Sequence, residues 1–176
     1  MSLEKLIAEC IQNNPKAEKE FYYKYYEKLY RLAYYNVKNT DVAVEIVNDG
    51  FITIFKKLHT VNEISTFEKW MRTIIINKCI DHHRLKKRFF VDIADESVQS
   101  IPAAVDAEYE LPNNTVELML KELSDMERVV MVLHILEDYS HKEIADLLNI
   151  SPENSRQIVH RSKAKLQRRK EVYARK

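Results

Sequence analysis

Through long stretches of the first half of the chain, apolar side chains return every three or four positions. That is the period of a helix with one face turned inward. Phe21, Tyr25, Leu29, Leu32 and Ala33 set the first such stretch. Seven of the ten tyrosines fall between Tyr22 and Tyr35, which predicts rings laid over a core with hydroxyls in water. A second helix runs from about Asp41 to Leu58, with Val47, Phe51, Ile54 and Leu58 inward. Its other face carries Glu45, Asn48, Asp49, Ile52 and Lys56. An isoleucine outside, among acids and amides, reads either as a partner-binding face or as a plain solvated one. Gly50 inside this helix costs about 1 kcal/mol relative to alanine, which a close approach by another helix would explain. A third helix is predicted from about Thr66 to Phe90, with Phe67, Met71, Ile74 and Leu85 on its core side and Trp70 in the packing. Arg72, Ile76, Cys79, His83 and Lys86 follow one another at four- and three-residue steps, with Lys87 beside them, predicting an outer basic face.

The helical period then stops. Between Val91 and Pro112 there are six acidic residues, two prolines and no Lys or Arg, the composition of a self-repelling linker. Three helix starts follow. Ser124-Asp125-Met126-Glu127 and Ser140-His141-Lys142-Glu143 have the form of capping boxes. Ser151-Pro152 offers an N-cap with proline in the first helical position. A short helix from His141 to Leu148, the turn Asn149-Ile150-Ser151 and a longer basic helix make a helix-turn-helix. In the last helix Ser155, Ile158, Val159, Ser162 and Leu166 are placed inward. Glu153, Arg156, Gln157, His160 and Arg161 are placed outward, where side chains reach base edges and phosphates. Lys163, Lys165, Arg168, Arg169 and Lys170 come later and suit phosphates.

Composition narrows the choice. One glycine and four prolines in 176 residues exclude an all-β protein, which needs frequent turns. The net charge of +1 says little, but its distribution says more. Five Lys/Arg stand against one Asp from Lys78 to Arg88, and nine against one Glu from Arg156 to Lys176. Two basic blocks around an acidic one suggest two contacts with a polyanion. Cys10 and Cys79 form no disulfide framework. The chain opens with no apolar signal region and has no long uncharged apolar run, so a cytoplasmic location with no membrane contact is expected. There is no phosphate loop, zinc-protease motif or partnered nucleophile, so no enzyme and no cofactor are expected. Cys79-x-x-His82-His83 is the one hint of a metal site, and it lacks a second cluster.

Leu123-Ser124-Asp125-Met126-Glu127-Arg128, Tyr139-Ser140-His141-Lys142-Glu143-Ile144-Ala145-Asp146-Leu147-Leu148 and His160-Arg161-Ser162-Lys163-Ala164-Lys165-Leu166 resemble the C-terminal promoter-reading domain of the extracytoplasmic-function (ECF) sigma factors. Glu45-Ile46-Val47-Asn48-Asp49-Gly50-Phe51 is similar to the family segment that docks on the clamp helices of the polymerase β′ subunit. Phe67, Trp70-Met71, Ile74, Asn77, Asp81 and Arg84 are similar to its helix that melts and reads the −10 element. The resemblance runs from about Leu3 to Leu166. It departs at Ser155, where the family more often has a branched apolar residue, and at Ile158, where it more often has a basic or polar one. It departs again at Glu45 and Asn48, where Asp and Gln are commoner.

The resemblance implies an all-α fold, an N-terminal helical bundle joined by an acidic linker to a C-terminal four-helix helix-turn-helix domain. The boundaries expected are 1–91, 92–113 and 114–176. It implies core RNA polymerase (β′ clamp helices and β subunit), promoter DNA and an anti-sigma factor as partners. Glu45, Asn48, Asp49 and Ile52 would bind polymerase. Arg72, Asn77, Lys78, Arg84, Lys86 and Lys87 would serve the −10 element, with His59 to Ser65 as a pocket loop for a flipped base. Glu153, Arg156, Gln157, His160, Arg161, Lys163 and Lys165 would serve the −35 element. A stand-alone helix-turn-helix regulator with a helical sensor domain, and an interaction protein on a degenerate sigma fold, remain as alternatives.

Overall fold

The computed structural model describes residues 2–61, 63–93 and 114–174, and of 87–93, 114–115 and 169–174 the backbone alone. Among the described residues every regular element is helical. The chain divides into two compact units, Met1–Ala103 and Ala104–Lys176. The predicted acidic linker lies, beyond residue 93, outside the described residues.

In the first unit, α1 (Leu3–Ile11) precedes the helices the periodicity revealed, α2 (Pro15–Val37), α3 (Thr40–Lys57) and α4 (Phe67–Ile93). Each start has a chemical cause. Ser2 caps α1, Asn14 caps α2 ahead of Pro15, and the Asn39 side chain accepts from the Val42 amide at 2.9 Å. Lys38 closes α2 in the left-handed region, φ 53°, its N–H donating to the Tyr34 carbonyl. α2, α3 and α4 all pack on one another, around Phe21, whose ring lies 4.9–6.4 Å from those of Tyr25, Phe51, Phe55 and Phe67. α1 was not foreseen. It buries Leu6, Ile7 and Cys10 and packs on α2 and on the 3-10 turn Leu58–Thr60.

The predicted faces of α4 need correction. Ile76 and Cys79, placed outside, are fully buried, and so are Ile75 and, nearly, Ile80. Leu85, placed in the core, is 65% exposed, and Ile74 is half-buried. The cause is double packing: α4 lies against α2 and α3 together, so its inward sector is wider than one stripe. His83 reaches the last turn of α2, its Nε2–H donating to the Asn36 carbonyl at 3.1 Å. Leu85 stands one half-turn beyond that contact. Trp70 is half-buried and stacks on Phe67, centroids 5.8 Å apart.

The second unit holds α5 (Asn114–Lys121), α6 (Asp125–Met131), α7 (His141–Leu148) and α8 (Pro152–Ala174). α6 continues into a π-helical turn, Val132–Leu136, that the sequence did not announce. α8 packs on both α6 and α7 over Val129, Val130, Leu133, Ile144, Ile158 and Val159.

Gly50 tests the packing of the first unit. A Cβ there would overlap the Cδ1 of buried Ile75. Gly50→Ala gains about 1 kcal/mol of helix propensity but forces a repacking that costs about 1–3 kcal/mol. We expect urea denaturation to show a net loss of stability. Ile75→Val, which deletes the offending methyl, should cost less in the Gly50→Ala background than alone.

Candidate nucleic-acid and polymerase interfaces

The helix-turn-helix is fixed by its caps. At α7 the Ser140 amide donates to Glu143 Oε2 at 2.8 Å while Ser140 Oγ accepts from the Glu143 amide at 3.2 Å. Asn149 ends α7 at φ 54°, the left-handed residue the turn needs. Ser151 then caps α8, accepting from the Asn154 amide at 3.1 Å. This turn rotates α8 so that Ser155, Ile158, Val159 and Ser162 are buried while Glu153, Arg156, Gln157, His160 and Arg161 are all exposed. Leu166 is half-buried. Arg156 Nη1 lies 2.9 Å from Glu153 Oε1. Glu153's own backbone amide, then Arg156, holds its carboxyl below the ordinary range.

Lys163 is exposed, seven residues from Arg156 and so on the same side. Lys165 leaves this stripe. Its Nζ lies 3.1 Å from Glu127 Oε2, on the α6 side. Glu127 also closes the α6 capping box, accepting from the Ser124 amide at 2.9 Å, and that bond leads the lowering of its pKa, with Lys165 adding to it. Arg128, whose burial no local pattern announces, is 4% exposed and anchors to Asp125 at 2.6 Å.

On the first unit, Glu45, Asn48, Asp49 and Ile52 are all exposed along α3, Ile52 at 53%. The structure adds two neighbours. Tyr22 of α2 donates its hydroxyl to Asn48 Oδ1 at 3.1 Å and lays its ring 4.5 Å from Phe51. Lys78 of α4 comes within 4.0 Å of Asp49. Tyr22 also opens a ladder of rings, Tyr22–Tyr26–Tyr30–Tyr34, spaced 5.1–6.1 Å along α2. A partner 26 residues away in sequence leaves no local signal, so Tyr22 could not be read in advance.

Five of the six −10 candidates have described side chains. Asn77, Arg84 and Lys86 are exposed, with Arg84 3.4 Å from Asp81. Lys78 is half-buried and leans toward α3. Arg72 is half-buried and lies 3.3 Å from Glu68, which is also 2.5 Å from Lys28 of α2. The side chain of Lys87 lies outside the described residues. The loop before α4 contains two 3-10 turns, Leu58–Thr60 and Ile64–Thr66. Leu58 is buried beneath it, and His59, Thr60, Glu63, Ile64 and Ser65 are exposed; Asn62 is outside the described residues.

Among the described residues no three His, Cys, Asp or Glu side chains gather as a metal site, and no helix is long and apolar enough to cross a membrane.

The geometry is that of a helical protein with a helix-turn-helix in its second unit and an exposed acidic, amide-bearing face along α3 of its first. Residues 21–89 match the family "Sigma-70 region 2" and residues 114–166 match "Sigma-70, region 4". The chain is 26% identical over 156 residues to the ECF RNA polymerase sigma factor SigW of Bacillus subtilis, covering 82% of this chain and 83% of that one. It is 27% identical over 121 residues to SigV of the same organism, covering 69% and 71%. Its fold matches the sigma factor RpoE solved with the anti-sigma factor NepR from Bartonella quintana, TM-score 0.58 and 21% identity over 85% of this chain and 94% of that one. It also matches CnrH solved with the cytosolic domain of CnrY, TM-score 0.53 and 21% identity over 95% and 96%.

The chain belongs to the sigma-70 family, in its ECF class. It is accordingly a sigma factor that initiates transcription, and its family is one of transcription initiation factors, not of catalysts.

Glu68 ties α4 to α2, and its contact with Lys28, ahead of Arg72, keeps its carboxyl below the ordinary range. A depressed native pKa adds stability above the unfolded pKa and loses it as the pH falls. We expect Glu68→Gln to cost at most about 1 kcal/mol at neutral pH, as for partly exposed pairs. In urea titrations the gap to wild type should shrink from about pH 4.3 downward. A gap that persists in acid would assign the loss to packing rather than charge.

Proposed function

We propose that the α3 face of this sigma factor, Glu45, Asn48, Asp49 and Ile52, docks on the clamp helices of the β′ subunit. The exposed side of α4, Asn77, Arg84 and Lys86, together with the loop before it, then takes up the −10 element. α8 reads the −35 element through Arg156, Gln157, His160 and Arg161, with Glu153 and Lys163 beside them. The observation that carries this reading is the sorting of α8. Of its five inward residues four are buried and Leu166 is half-buried, and every side chain of the predicted reading stripe is exposed. Arg and Gln are the residues that bond guanine and adenine edges in a major groove.

The finer assignments follow from this reading. Residues 1–91 serve polymerase and the −10 element, 92–113 link, and 114–176 serve the −35 element. The protein works in the cytoplasm, where the polymerase is, as a binding subunit with no chemistry or cofactor of its own. An anti-sigma factor is its regulator, supported by two fold neighbours solved with such partners or with a cytosolic domain of another protein. Lys78 acts first as a brace between α4 and α3 through Asp49, while Arg72 pairs within α4 with Glu68, which in turn meets Lys28 of α2.

In-vitro transcription with core polymerase on promoter fragments from the same genome tests the whole reading. Start-site-specific transcripts only when core enzyme and this chain are both present support it. Sequence-specific binding by the chain alone, without core enzyme, would favour the stand-alone regulator.

Two sets of variants divide the work. Asp49→Arg and Ile52→Glu alter exposed positions, so circular dichroism should stay native while co-purification with β′ drops sharply, because an unpaired charge in an interface is expensive. Retained co-purification would remove α3 from the interface. Arg161→Ala should weaken binding of holoenzyme to its matched −35 sequence by about 1–3 kcal/mol and leave a scrambled −35 sequence less affected. Equal losses on both sequences would make Arg161 a phosphate contact.

A further inference from the structure

The start of α8 holds a polar chain that the functional reading leaves unused. Ser155 stands where the family more often has an apolar branched residue, and its hydroxyl is fully buried. A buried hydroxyl without a partner is costly. Here Ser155 Oγ lies 2.9 Å from Nδ1 of His141, the first residue of α7. The His141 ring in turn faces that of His134, centroids 4.3 Å apart and tilted by 31°. His134 sits in the π-helical turn after α6, and its Nδ1 lies 3.0 Å from the Tyr139 carbonyl. A carbonyl only accepts, so His134 Nδ1 bears the proton and donates. Two imidazoles and one hydroxyl thus join the π turn, the start of α7 and the first turn of α8, one residue before Arg156.

We propose that His141 is a positioning residue for the promoter-reading helix: backed by His134, its neutral imidazole holds the buried Ser155 hydroxyl and fixes the first turn of α8. The inference rests on α8 being the −35-reading helix. The neutral form matters because the groups around the ring are cationic or can become so. They are His134 from the π turn, Arg156 and Lys163 from α8, and the positive N-terminal end of α7 itself. Glu143 is engaged on the Ser140 cap and Glu153 on Arg156. Burial first, then His134, Arg156 and Lys163, lowers the His141 pKa. A lowered native pKa leaves stability intact above the unfolded value and removes it as the pH falls toward the native one. Mild acid therefore loosens the helix start that presents Arg156 and Gln157.

The test uses the full chain, as wild type and as His141→Gln, His141→Ala, Ser155→Val and the double variant His141→Ala/Ser155→Val. Amide protection factors across Ser155–Val159 are followed by NMR from neutral pH into mild acid, alongside the His141 ring resonances. In the wild type, protection should fall several-fold in step with the ring's titration. His141→Gln can still meet Ser155 but cannot titrate, so its protection should stay flat. His141→Ala should lose protection at every pH when Ser155 is present and lose much less when position 155 is valine. The inference is overturned if His141→Gln follows the wild-type curve, or if the alanine loss is the same with serine and with valine. Holoenzyme binding to matched and scrambled −35 fragments over the same pH range separates the two readings. Protection that responds while −35 preference does not would leave His141 as the anchor of α8 and refute the promoter role of that helix.

Discussion

The close approach of α3 and α4 at Gly50 and Ile75 is the contact on which the N-terminal unit depends. A helix crossing this tight needs a residue without a side chain on one partner, and the chain places its single glycine there. With the backbones so near, Ile75, Ile76, Cys79 and Ile80 can fill the space that α2 and α3 leave between them. The outward sides of α3 and α4 are then fixed together. Asp49 meets Lys78 across the seam, Tyr22 meets Asn48 on the other flank, and Asn77 stays free on the crest. The α3 face proposed to dock and the α4 face proposed to meet DNA thus share one packing constraint, and neither can be reoriented without the other.

The second unit reaches rigidity by local chemistry instead. α5, α6 and α7 are short, seven or eight residues each, and short helices in water are marginal without tertiary packing and caps. Ser124 with Glu127 and Ser140 with Glu143 satisfy the orphan amides at two helix starts, and Ser151 does so at a third. Glu127 serves twice, at its own cap and against Lys165 of α8. One carboxylate therefore sets both where α6 begins and how α8 lies across it.

Much of this was legible in the sequence because it is governed by short-range rules. The capping boxes, the left-handed Asn149, the sorting of α8 and the need for a close neighbour at Gly50 each follow from residues a few positions apart. What failed was long-range. Ile76 and Cys79 belong to an outer stripe if α4 packs on one neighbour and to the core if it packs on two, and periodicity cannot count neighbours. α1 escaped because its nine residues show only Leu6, Ile7 and Cys10 as an inward set. The bond between His141 and Ser155 spans 14 residues, yet the unusual serine was itself a signal. A hydroxyl replacing an expected apolar group in a core position implies a partner somewhere.

The stacking of Trp70 on Phe67 has an optical consequence. Trp70 is the only tryptophan in the chain and sits half-buried in the first turn of α4, beside the loop that precedes it. Indole emission therefore reports on the N-terminal unit alone, while far-ultraviolet dichroism sums over both units. Any difference between the two melting curves would measure directly how independently the halves of this molecule hold their shape.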